Sequence, residues 1–352
     1  MKCAAKAKSP QLIFLAFLAG IGCHDGAGQQ DRNQEAAVSA IKSLGGKVEF
    51  YETRPGRPVA KVDLGGTMAS DDDLAALCSF TELEELDLGS SAISDAGLKH
   101  LKCLSKLASL DFGWTKINGE GFAQIQGMSA IKRLNLYHAK VDDAGLSQIA
   151  GLRGVELLDL TGTKVSDAGL THLAKMSNLR RLGLADTTVS GAGLTHLKDL
   201  AKLNELNLAR AHVDDNGMEA VGRLSGLEWL DLARTAITDE GLQHLAGSNK
   251  LKALLLDGTA ITDDGLKKFQ NLDNLTGLSL GNDKITDKGL EHLAGLSALQ
   301  RLVLVDTKVT DAGIEHLAKL VNLKDLDLRK TEVSRAGCQR LQNALPKVKI
   351  RR

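Results

Sequence analysis

"ITDEGLQHLAGSNKLKALLLDGTAITDDGL" occupies Ile237–Leu266 and begins and ends on nearly the same six letters, ITDEGL and ITDDGL, 24 residues apart. The copy belongs to a series. The glycine of the D-x-G-L phrase recurs at Gly97, Gly121, Gly145, Gly169, Gly193, Gly217, Gly241, Gly265, Gly289, Gly313 and Gly337, always 24 residues after the last. One step earlier Asp73 stands in "SDDDLAAL", which keeps the phrase without its glycine. No insertion or deletion breaks the count. Self-similarity at a fixed period between 20 and 50 residues marks an array of stacked units, so the 352 residues are not to be divided into domains of ordinary size.

The unit "LEELDLGSSAISDAGLKHLKCLSK", from Leu83, has two halves of different period. In the first, Leu86 and Leu88 flank Asp87, the alternation of a strand with one buried face. The Leu86 column reads Val62, Leu86, Leu110, Leu134, Leu158, Leu182, Leu206, Leu230, Leu254, Leu278, Leu302 and Leu326. The Leu88 column is leucine except for Phe112, and a β-branched column runs from Ile93 to Val333. In the second half Leu98, Leu101 and Leu104 stand three apart, one face of a short helix. Ser94 and Asp95 precede it, residue types that accept the free N–H groups of a helix start. A glycine inside each helix costs about 0.5–1 kcal/mol against alanine. Its recurrence predicts a close approach of the helix start to a neighbouring turn, where a Cβ would clash.

A strand and a helix of this size cannot bury their apolar faces alone. Repeated, they stack into a parallel sheet with the helices on its other side. The pattern L-x-x-L-x-L-x-x-T-x-I/V resembles leucine-rich repeats, here over residues 59–346 as an array of twelve units. The D-x-G-L helix is similar to the subtype of bacterial exported and F-box-associated, cysteine-containing repeats. The resemblance implies an α/β solenoid, a horseshoe with a parallel β-sheet on the concave face and short helices on the convex face. It also implies a role in protein–protein recognition. The family's ladder position, often asparagine, is mostly threonine here (Thr67, Thr115, Thr163, Thr187, Thr235, Thr259, Thr307, Thr331), and Ala139 and Ala211 interrupt it. A threonine hydroxyl is expected to bond turn backbone as the amide does.

Outside the array, residues 1–22 read as a targeting segment. Lys2, Lys6 and Lys8 make a basic start and "LIFLAFLAGI" a short apolar run. "LAGIGC" resembles a bacterial lipoprotein signal with Cys23 as the lipidated residue, although Gly20 stands where that signal usually has leucine. A plain cleaved secretory signal and a retained anchor are the alternatives. Residues 23–34 read as a flexible linker, 35–58 as an N-terminal cap of helix plus strand, and 347–352 as a C-terminal edge strand. Of the remaining cysteines, Cys78, Cys103 and Cys338, none forms a CxxC pair. Cys78 and Cys103 lie on helices of neighbouring units but at different repeat positions, so buried reduced thiols are expected rather than a bridge.

Basic and acidic residues balance at 44 each, which argues against a nucleic-acid binder driven by net charge. Six histidines share one column (His100, His172, His196, His244, His292, His316) with no acid or cysteine in it, so space-filling between helices is the expected role and no metal or other cofactor is called. Asp87, Asp111 and Asp159 lie between the strand leucines on the concave face, where stacked acids attract cations or basic partners. Aromatics are scarce, and Trp114, Tyr137 and Trp229 all map to the concave strand or the turn after it. Arg133 and His138 lie in the unit next to Trp114, and Arg210 and Arg234 share a column. Aromatic and arginine side chains dominate interface energetics, so these ten residues form the candidate partner-binding set. No G-x-S-x-G, Walker A, H-E-x-x-H or paired CxxC occurs, and serines, histidines and aspartates fall in repeat columns rather than in one off-pattern site. The reading is therefore a monomeric, exported, lipid-anchored, non-enzymatic scaffold for a protein or peptide partner. A cell-wall or carbohydrate binder is the alternative, and an F-box-like adaptor for ubiquitination a more distant one.

Overall fold

The computed structural model describes residues 26–352. Fourteen strands form one sheet in strict sequence order. β1 (Lys47–Phe50) pairs antiparallel with β2 (Val59–Asp63), and every later neighbour is parallel, beginning with β3 (Glu85–Asp87). Ten more three-residue strands follow at the same 24-residue step, the last being β13 (Asp325–Asp327), and β14 (Lys349–Arg351) adds an edge. The register keeps each column in line: Val62 lies beside Leu86, Leu86 beside Leu110, Leu302 beside Leu326. The chain is an α/β solenoid, its parallel sheet on the concave face and the α and 3-10 helices of its repeats, three to ten residues long, on the convex face.

The core is one continuous aliphatic layer between sheet and helices. Leu86, Leu88, Ile93, Leu98 and Leu101 are all buried, and the same columns are buried in the coils that follow. Phe112, the one aromatic in its leucine column, packs edge-on to Phe122 with ring centroids 6.0 Å apart, so one coil trades two leucines for two rings.

Two expectations change. The stretch read as a flexible linker is helical from Gly26, since α1 runs Gly26–Ser43 and the cap helix begins nine residues earlier than position 35. Gln34 fixes it to the array, accepting from the Val59 N–H at 3.3 Å and donating to the Arg57 carbonyl at 3.4 Å. Cys78 and Cys103 are not reduced thiols: they form a disulfide with Cα atoms 5.5 Å apart. Their spacing of 25 is one coil plus one residue. Cys78 lies near the end of the helical turn Asp71–Ser79 and Cys103 two residues past the next one, Asp95–Leu101. Adjacent coils lie side by side there, and the one-residue offset is absorbed at the helix ends. Among the described residues Cys338 is the free cysteine. The signal segment and Cys23 lie outside the described residues.

The recurring glycine has a specific cause. The first helical residue of most coils is aspartate, and its carboxylate reaches across to the N-cap of the next coil. Asp239 accepts from the Thr262 N–H at 2.8 Å and from the Thr262 hydroxyl at 2.5 Å; Asp71 does the same to Ser94 at 2.8 and 2.6 Å. Asp143, Asp167, Asp215, Asp263, Asp287 and Asp311 repeat the arrangement, and Asp95 receives three backbone N–H groups instead. A Cβ on Gly97 would stand 2.6 Å from Asp71 Oδ1, and one on Gly241 2.5 Å from Asp215 Oδ1. The glycine makes room for the carboxylate of the preceding coil.

Candidate functional site

Each strand ends in a turn that carries the surface residues outward. In half of the coils the strand ends in an aspartate that folds back on its own chain: Asp87, Asp111 and Asp159 accept from the backbone N–H of Gly89, Gly113 and Thr161 at 2.8, 2.7 and 2.9 Å. One carboxylate oxygen is thus committed to local structure. Asp111 uses the other on Asn135, whose amide donates to it at 2.7 Å. Burial pushes the Asp87 carboxyl above its ordinary range, with Asp111 and Asp63 adding to it and the Gly89 bond opposing. The acidic column is therefore first a turn-forming device and second a polar floor.

Three residues past the strand-end aspartate the chain turns left-handed in every coil. The column reads Gly66, Ser90, Trp114, His138, Gly162, Asp186, Arg210, Arg234, Gly258, Asn282, Asp306 and Lys330, with φ between 53° and 70°. The conformation aims the backbone N–H at the next coil. Ser90 donates to the Gly113 carbonyl at 2.7 Å, Trp114 to Tyr137 at 2.8 Å, His138 to Thr161 at 2.8 Å and Arg234 to Asp257 at 2.8 Å. The turn thus extends the sheet's bonding by one rung. Left-handed backbone disfavours any residue with a Cβ, bulky ones most. Glycine, asparagine or aspartate at most of these positions would be the low-cost solution. Trp114, His138, Arg210, Arg234 and Lys330 are not, and residues held in such conformations cluster at functional sites.

Trp114 and His138 stack, ring centroids 4.2 Å apart and planes 15° from parallel. Tyr137 stands edge-on to both, 4.4 Å from His138 and 5.8 Å from Trp114. The far side of the imidazole covers the Gly162 turn, where a Cβ would lie 2.5 Å from His138 Cε1. Three consecutive coils thus build one layered patch. Trp114 keeps 59% and Tyr137 36% of its surface exposed. Arg133, at the start of the adjoining strand, donates to Glu85 at 2.9 Å and Ser109 at 3.2 Å, which fixes its guanidinium over the two preceding strands.

The other candidate residues form separate groups. Arg210 pairs with Asp186 at 3.4 Å. Arg234 leans over the Gly258 turn as His138 does over Gly162, its Cγ 3.3 Å from where a Cβ would be, and it makes no ion pair among the described residues. Trp229 opens the strand Trp229–Asp231, half-buried, between Glu205 and Ala253. It is five strands from the Trp114 coil, about 24 Å at the usual strand spacing. The structure brings Trp114, Tyr137 and His138 into contact, turns Arg133 toward Glu85 and Ser109, commits Asp87, Asp111 and Asp159 to their own turns, and sets Arg210, Arg234 and Trp229 apart. The left-handed column escaped the sequence reading. Its signal was present, because Gly66, Gly162, Gly258, Asp186, Asn282 and Asp306 share one repeat position, and those are the types that tolerate it. Among the described residues, no group of three or more histidine, cysteine, aspartate or glutamate side chains is arranged to hold a metal ion.

Sequence profiles for leucine-rich repeats match residues 249–309, and 81–102, 199–222 and 227–246. This is a leucine-rich-repeat protein. None of the curated proteins compared with it matches. Among solved structures, an internalin from Listeria monocytogenes is 20% identical, with a TM-score of 0.66 over 91% of this chain and 94% of that one. A leucine-rich-repeat protein from Leptospira interrogans is 21% identical, with a TM-score of 0.52 over 78% and 80%. At these identities the likeness is one of fold: the leucine-rich-repeat solenoid is shared, and the rim residues have to be argued from this chain's own geometry.

Proposed function

We propose that the chain is a non-catalytic interaction scaffold that holds a protein or peptide partner against its concave face, anchored at the Trp114–Tyr137–His138 patch. The observation that carries this is the exposed, layered aromatic cluster on left-handed turns. A solvent-facing tryptophan in a costly conformation stabilises nothing in the core. Rigid, exposed aromatics held against one another are the composition of interface anchors. Asp111, Asn135 and Asp159 supply acceptors and a donor at its margin, and Arg210, Arg234 and Trp229 extend the surface along the array.

Export and lipid anchoring through Cys23 belong to the same proposal and rest on the N-terminal sequence. No helix among the described residues is long and apolar enough to cross a membrane. Mass spectrometry of the mature N-terminus distinguishes a lipidated Cys23 from a plain cleaved signal. For the patch, a cross-linking pull-down from the native envelope is compared between the parent and a Trp114→Ala, Tyr137→Ala double variant. The expected result is loss of the captured protein with an unchanged melting temperature. Equal capture by both would remove the patch from the reading. Enrichment of glycans rather than proteins would transfer the same aromatics to the carbohydrate alternative.

A further inference from the structure

The column that holds threonine in most coils contains one carboxylic acid. At Thr115, Thr163, Thr187, Thr235 and Thr307 the buried hydroxyl donates to the carbonyl three residues back, at 2.6 to 2.8 Å. Asp283 stands at that place between Thr259 and Thr307, and 5% of its surface is exposed. Its Oδ1 accepts from the Thr259 N–H at 2.8 Å and the Thr259 hydroxyl at 3.2 Å. Its Oδ2 is sealed from solvent and has no hydrogen-bond partner. Three things can compensate a buried carboxylate oxygen: a counter-charge, a bound cation or a proton. No basic group pairs with Asp283 and no trio of ligating side chains surrounds it among the described residues. From the preceding coil the charged neighbour is another acid, Asp257, held by the Ser279 hydroxyl at 2.7 Å and the Gly281 N–H at 3.0 Å. In its own turn Asn282 and Lys284 are exposed. The following coil brings Val305 and Thr307, both uncharged, and the exposed Asp306.

We propose that Asp283 is held as a neutral carboxylic acid in the folded array and acts as a proton-sensitive clip on the turn between strand Gly277–Ser279 and helix Asp287–Leu293. The proton restores an O–H where the column's threonines have one. Its loss leaves a bare buried carboxylate facing Asp257 and loosens the seam between these two coils. The proposal does not depend on what the concave face binds. Burial pushes the Asp283 carboxyl from 3.8 up to about 7, with Asp257 adding to the rise and the Thr259 bonds opposing it. For an acid raised on folding, the stabilisation is whole below the unfolded value, near pH 4, and is lost as pH climbs through about 7. The array is thus expected to weaken at this seam between about pH 4 and about pH 7 and to change little above that.

The test is hydrogen exchange of the turns around Thr259 and Asp283 across that range, in the parent, Asp283→Thr and Asp283→Asn, together with the carbon-13 titration of the Asp283 carboxyl. The expected result is opening of these turns that rises about tenfold or more with pH in the parent and stays flat in both variants. It comes with a carboxyl resonance that titrates near neutrality. A carboxyl that titrates with the ordinary aspartates, or a pH dependence that survives in Asp283→Thr, would overturn the proposal.

Discussion

Nine junctions between coils carry the aspartate clamp, and two do not. At Gly119 and Gly191 the clamp position is glycine, and in both cases the N-cap that would have received it is itself an aspartate, Asp142 and Asp214. Those two cap their own helices instead, through the Gly145 and Gly217 N–H groups at 3.0 and 3.2 Å. Clamp and cap are exclusive because a clamp carboxylate facing a cap carboxylate would set two like charges a few ångströms apart. The same two coils, those of Asp142 and Asp214, also have alanine on the threonine ladder, Ala139 and Ala211. They carry His138 and Arg210 on the left-handed rim. At the unclamped seams backbone meets backbone: a Cβ on Gly119 would lie 2.5 Å from Gly145 Cα, and one on Gly217 2.8 Å from Gly191 Cα. Beside the second seam the convex surface opens into a cavity of about 370 Å³ lined by Gly191, Thr195, Asn216 and Glu219. A repeat column is thus not one residue used twelve times. It is a choice between two compatible pairings, and each unit's choice is conditional on its neighbour.

That difference is open to attack by substitution. The largest effect is expected at the glycines. Gly145→Val forces a side chain into the Asn118 carbonyl, which is backbone and cannot yield, and should cost several kcal/mol, on the order of 3 or more. Gly241→Val meets the Asp215 carboxylate, which can swing aside at the cost of its bonds to Thr238, and should cost about 2–3 kcal/mol. Glu240→Val, exposed and one residue away, should stay within about 0.5 kcal/mol. Urea melts of the three rank them, and equal shifts would abolish the packing role of the glycine.

A middle-sized effect separates clamp from cap. Asp239→Ala strands the Thr262 N–H and hydroxyl and joins two coils less firmly, for about 2 kcal/mol. Asp214→Ala loses one helix cap, about 1 kcal/mol. Hydrogen exchange should show Asp239→Ala loosening both flanking coils and Asp214→Ala only its own. The same pattern for both would mean the two kinds of seam are equivalent. The smallest effect has the opposite sign. Lys330 sits at φ 60° with no further left-handed turn beyond it to receive its N–H, so Lys330→Gly should raise stability by about 0.5–1 kcal/mol. A neutral or destabilising outcome would show that the side chain contributes contacts of its own.

Much of this was legible from single columns. Leu86, Leu88 and Ile93 announce a buried strand face, and Leu98 and Leu101 a helix, because side-chain periodicity is a property of the local backbone. The aromatic set was legible as rare residues at outward positions, and Trp114, Tyr137 and His138 do meet. Trp229 does not join them, because membership of the concave face says nothing of position along it, and it lies five coils along from Trp114. Cys78 and Cys103 were misjudged for a related reason. Comparing repeat positions asks whether two residues are equivalent, whereas a disulfide asks only whether they are close.

The sequence alone determined the period, the number of coils, which faces are apolar and where glycine is required. Each of these follows from patterns within one unit and from their unbroken spacing. Tertiary structure alone decided that Asp239 reaches Thr262, that Trp114 and its column are left-handed, and that Asp283 has an oxygen with no partner. These depend on which atoms of the next coil stand within hydrogen-bonding reach, and stacking brings together groups that the chain keeps 23 to 26 residues apart.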